Sequence, residues 1–154
     1  MNKMILLAVL LTLCGCSTTL GKYEHATSNI DGEIIFYRDW TFLKGAVDAV
    51  VYIDSIPIVK IGNNEYVAIP ISIGKHVIGV NGDSYAGENF HFDIVIENNS
   101  RHYYEISPDS SQWLISLAPP MAQVGTSPFV TTVSDENSFN SEKTDMDKMT
   151  IEGL

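Results

Sequence analysis

Between Gly32 and Ala118 the chain is cut into short apolar runs by turn-forming residues, and no interval repeats with the 3.6-residue period of a helix. The runs are Glu33–Arg38, Ala46–Asp54, Pro57–Ile61, Glu65–Ile71, Lys75–Val80, Asn89–Ile96, Arg101–Ser107 and Gln112–Leu117. They are punctuated by Asp54-Ser55, Gly62-Asn63-Asn64, Ser72-Ile73-Gly74, Asn81-Gly82-Asp83 and Asn98-Asn99, all residue types that favour turns. Val, Ile, Tyr and Phe dominate the runs, which suits a pleated, half-buried surface. In Asn89–Ile96, Phe90, Phe92, Ile94 and Ile96 alternate with His91, Asp93 and Glu97, the period of a strand with one buried face. Turn signals at this spacing predict an all-β fold, a small antiparallel β-sandwich of seven or eight strands spanning residues 32–118. Pro57 and Pro70 lie near strand ends, where the missing N–H costs least.

Both cysteines, Cys14 and Cys16, precede this region, so the β-rich part holds no disulfide and must stand on burial alone. They close a second pattern. Lys3 is followed by an apolar stretch from Met4 to Leu13, too short to span a bilayer, then Cys14, the small Gly15 and Cys16. This layout resembles the lipobox of bacterial lipoproteins, with Leu13 at −3, Gly15 at −1 and Cys16 at +1. The resemblance implies removal of residues 1–15 and acylation of Cys16. Each buried methylene contributes about 0.8 kcal/mol, and stable anchoring takes at least two chains or signals, which several acyl chains on one residue would exceed. Ser17, where Asp would retain a lipoprotein at the inner membrane, implies an outer-membrane location facing the periplasm in a Gram-negative source. The alternative is an ordinary secretory signal cut elsewhere.

Residues 16–31 are polar and read as a lipidated tether that lifts the domain off the bilayer. Residues 119–154 open with Pro119-Pro120 and turn to Ser, Thr, Asn, Asp and Glu; they are expected to form a low-order acidic tail, with one edge strand within Met121–Val133 and a short helix near Asp145–Ile151 as its only elements. The formal charge of the chain is −10, and loss of Lys3 with the signal makes it −11. That balance excludes a nucleic-acid partner, which needs clustered Lys and Arg, and a basic patch on anionic headgroups. It fits either plain solubility or a cationic partner or divalent ion.

Gly32–Arg38 (GEIIFYR), Val51–Asp54 (VYID), Tyr66–Gly74 with Lys75-His76 (YVAIPISIGKH) and His102-Tyr103-Tyr104 together resemble a domain of unknown function found in small bacterial lipoproteins, patterned as an "IYFYR" strand, a "VYVDG" hairpin strand, a "PGKH" hairpin and a late "YY" strand. The resemblance covers roughly residues 32–107 and implies an Ig-like or PEGA-like sandwich without catalytic residues or cofactors. Ser55 stands where that pattern has Gly, and Ile73 where it has Pro; both are turn positions.

No Gly-x-Ser-x-Gly elbow, His-Glu-x-x-His, phosphate loop or dinucleotide fingerprint is present. The remaining candidates are these. His91, Asp93 and His102, on two predicted neighbouring strands, offer the nitrogen and carboxylate ligands of a zinc site, or are solvent-facing strand residues. His76, after a turn glycine, reads as structural. Phe36, Tyr52, Phe90 and Phe92 read as core, and of Tyr103-Tyr104 at most one faces it. Arg38 and Asp39 close the first strand, where Arg38 reads as a partner in a surface ion pair. Trp40 and Phe42, with Lys44 beside them, lie in the loop Asp39–Gly45 and form either a contact patch or a lid folded over the sandwich end. The expected function is that of a membrane-anchored, non-enzymatic contact module for an envelope protein or peptidoglycan; the alternatives are a metal- or small-ligand-binding domain and a hydrolase with an unfamiliar site.

Overall fold

A computed structural model of the chain describes residues 30–42, 46–83, 90–110 and 127–151. The signal region with Cys16, the residues preceding Ile30, Lys44 and the predicted strand Gln112–Leu117 lie outside the described residues.

The described residues form an all-β sandwich of nine strands with one helix. The strands are β1 (Ile30–Arg38), β2 (Ala49–Ile53), β3 (Ile56–Ile61), β4 (Glu65–Ser72), β5 (Gly74–Gly82), β6 (Phe90–Ile96), β7 (Arg101–Pro108), β8 (Phe129–Ser134) and β9 (Asp147–Lys148). One sheet runs β8-β7-β1-β4-β9 and the other β3-β2-β5-β6. Two pairings are parallel, β1 with β7 and β4 with β9, where an antiparallel sandwich was expected. Parallel neighbours are joined by long connections, so a pattern of local turns does not reveal them.

The turns follow from residue type. Asp54 and Ser55 both adopt positive φ (51° and 70°), which makes the two-residue β2–β3 connection a hairpin turn of the I′ kind, with Ser in the place glycine would fill more cheaply. Pro57 sits on the edge strand β3, and Pro70 lies on β4 beyond the two residues that β9 covers, so neither deprives a ladder of a donor. Gly32 answers to packing: a Cβ there would collide with the Ile96 side chain across the sandwich.

The main core lies between the sheets and gathers Ile34, Phe36, Val51, Ile53, Ile61, Ile69, Ile78 and Ile96 among others, with Phe36 and Phe92 against Tyr104. The expected low-order tail is instead ordered over residues 127–151. β8 extends the first sheet, and helix α1 (Glu136–Glu142) crosses its outer face. Asp135 caps the helix, its Oδ1 accepting from Asn137 N at 2.8 Å and Ser138 N at 3.0 Å. A 3₁₀ turn (Lys143–Asp145) then leads into β9. The short helix thus falls earlier than Asp145–Ile151. Its one buried residue, Phe139, packs on Tyr37, Tyr66 and Tyr103, with ring centroids 5.2–5.6 Å apart, forming a second core with Ile35 and Met146. Tyr103 and Tyr104 are therefore both buried, on opposite faces of one strand, because the sheet is covered on both sides.

Candidate functional site

β1 delivers the chain to one end of the sandwich at Arg38, paired there with Glu65 at the start of β4. Arg38 is fully buried rather than a surface residue. Its Nη1 donates to the carbonyls of Val47 (2.7 Å) and Ile61 (3.4 Å), and its guanidinium lies 4.6 Å from the ring centroid of Phe129. Burial lowers its pKa, opposed by Asp48 and Glu65. The cation thus ties β1 to the approach into β2 and to the end of β3, under a cover supplied by β8.

The loop that follows Arg38 is held by its backbone. Asp39 Oδ1 accepts from Trp40 N at 2.6 Å. Asn63, in the β3–β4 turn, makes a reciprocal pair with Thr41: its Oδ1 accepts from Thr41 N (2.9 Å) and its Nδ2 donates to Thr41 O (3.0 Å). The turn is itself braced by Gly62 N donating to Glu65 Oε2 at 2.6 Å, with Asn64 at φ 62°. With the backbone fixed on both sides of Trp40, the side chains of Trp40 and Phe42 project outward, 65% and 88% exposed. Neither ring is folded over the sandwich end.

Several carboxylates gather at this end of the sandwich. Burial raises the pKa of Glu65, against the Gly62 N–H, and Asp48 and Asp147 raise it further. Asn64 joins the turn to the segment before β9, donating through Nδ2 to Asp145 O (2.6 Å) and accepting at its carbonyl from Asp147 N (3.0 Å). Glu142 is also raised, by burial first and then by Glu105 and Asp39.

The proposed zinc ligands do not converge. His91 and Asp93 lie on β6 and His102 on β7, and these strands belong to different sheets. No group of three His, Cys, Asp or Glu side chains able to hold a metal occurs among the described residues. His102 Nε2 is shielded from solvent and finds no hydrogen-bond partner among them.

One Ser-His-Asp constellation, which spacing in the sequence did not suggest, is present at the opposite end. His76 Nδ1 lies 2.7 Å from Asp54 Oδ2, and its Nε2 lies 2.9 Å from the Ser72 carbonyl but 3.4 Å from Ser72 Oγ. A general base must take its proton from the nucleophile's hydroxyl; here Nε2 is committed to a carbonyl, and the ring is buried. The group works as a strut: Asp54 Oδ1 also accepts from Val77 N (2.9 Å), pinning the β2–β3 hairpin to β5 and, through His76, to β4. Also at that end, an open groove is lined by Asp31, Gly32, Glu33, Asn99, Ser100 and Arg101, with Arg101 Nε paired to Glu33 Oε2 at 3.0 Å.

No protein-family model matches the chain, and no curated protein is significantly similar to it.

Proposed function

We propose that this chain is a lipid-anchored envelope protein whose β-sandwich acts by contact rather than by catalysis, through Trp40 and Phe42. The observation that carries the proposal is the exposure of two large aromatics on a loop whose backbone is fixed by Asp39 and Asn63. Exposed rings normally cost a soluble domain solubility, and aromatic side chains on a preorganised backbone are the usual anchors of interfaces. In this reading the anchor is Cys16, the residues behind it are a tether, Ser17 directs the protein to the outer membrane facing the periplasm, and Lys44 flanks the contact. The resemblance to a lipoprotein domain of unknown function agrees with it. The partner is an envelope protein or peptidoglycan.

The test uses the full chain expressed with its signal and purified from membranes in mild detergent. The expected result is a mature N-terminus at an acylated Cys16 and a co-purifying envelope component that is lost when Trp40→Ala and Phe42→Ala are combined. An unmodified N-terminus elsewhere removes the anchor; recovery unchanged by the double substitution removes the contact site.

A further inference from the structure

We propose that the aromatic tip receives a basic protein segment, one that sets Lys or Arg beside apolar side chains, on the side of the domain turned away from its anchor. This rests on the contact reading above and names the chemistry of the partner.

The first argument is charge. Asp39 adjoins Trp40 in sequence, and its charge is felt at Glu142. Asn63 holds Thr41, and its neighbour Asn64 holds Asp145 and Asp147, which with Asp48 crowds Glu65. Against these carboxylates stand few cations. Arg38 is buried beneath the loop, Lys143 lies 5.4 Å from the centroid of the Phe139 ring, and Lys148 is on β9; Lys44 lies outside the described residues. Among the described residues this end is thus negative, beside two exposed rings. A basic segment satisfies both parts at once, its cations meeting the carboxylates and the ring faces. An anionic bilayer or a nucleic acid would be repelled by the same carboxylates.

The second argument is direction. Ile30, where the chain arrives from residues 16–29, pairs with Ser72 at one end of the sandwich, and Arg38 pairs with Glu65 at the other. At about 3.3 Å per residue β1 separates these ends by roughly 26 Å. A domain anchored through its N-terminus therefore holds Trp40 and Phe42 at its far end.

The experiment places p-benzoylphenylalanine at Phe42, the more exposed ring, in the full-length anchored chain in intact cells. After irradiation, adducts are identified by mass spectrometry and their yield is compared with that of the same chain carrying Asp145→Lys and Asp147→Lys. Both carboxylates are exposed, and neither side chain makes one of the bonds that hold the loop. The expected adduct is a protein segment with Lys or Arg within a few residues of the cross-link, and the charge reversals lower its yield about fivefold or more without lowering the melting temperature. An adduct on lipid or glycan, on a segment without basic residues, or with a yield indifferent to the reversals overturns the basic partner and leaves the contact reading standing. No adduct above the unirradiated control overturns the contact reading itself.

Discussion

Three residues at the tip show how a short loop comes to be presented. Arg38 fixes the floor, Asn63 the backbone of Thr41, and Glu65 the turn that carries Asn63. Glu65 does this at a cost, since its net surroundings favour the protonated acid. The folded state therefore binds a proton more readily than the unfolded chain. Stability rises as pH falls from Glu65's raised folded value towards its ordinary one, and above that window the penalty is complete. Glu65→Gln keeps an oxygen for the Gly62 N–H and removes the charge. It is expected to melt above the parent at pH 7, with the gap closing as pH falls to about 4; a variant that melts lower at neutral pH contradicts this account of the site. His76, read from its position after Gly74 as structural, is a strut between strands. Arg38 was not legible, because Arg-Asp at a strand end looks like a surface pair, while its partners Val47, Ile61 and Phe129 lie further along the chain.

At the scale of elements, the seven strands up to β7 are legible to within three residues at either end, because their turns are written locally in Asp-Ser, Asn-Asn and Gly. The parallel pairing of β1 with β7 and the second core are not, because both depend on residues far apart in the chain. Some signals were available. The unbroken run Ile34–Tyr37 and the adjacent Tyr103-Tyr104 mark strands buried on both faces, and Asp135 three residues before Ser138, with Phe139 next, marks a capped helix. Polar composition hid them, since one phenylalanine does the anchoring for the whole helix. Phe139→Ala is expected to destabilise the protein by about 3 kcal/mol or more. It should also render residues 135–151 sensitive to limited proteolysis while strands β1–β5 stay protected. Equal resistance of parent and variant would contradict the role given to this ring.

At the scale of the whole molecule, the sandwich separates two ends. One receives the chain at Ile30 and is closed by paired groups, Arg101 with Glu33 and His76 with Asp54. The other carries two exposed rings, Trp40 and Phe42, beside a backbone held at Thr41, with several carboxylates at the same end. Trp40 and Phe42 lie outside both cores, so the rings are expected to be removable without loss of the fold. Thermal unfolding of the Trp40→Ala/Phe42→Ala double variant tests this most directly. Exposed side chains removed from a fixed backbone change stability by about 0.5 kcal/mol or less, so the melting temperature should stay within roughly 3 °C of the parent. A fall of about 10 °C or more would mean that the rings are core, and the tip as a free contact surface would be contradicted.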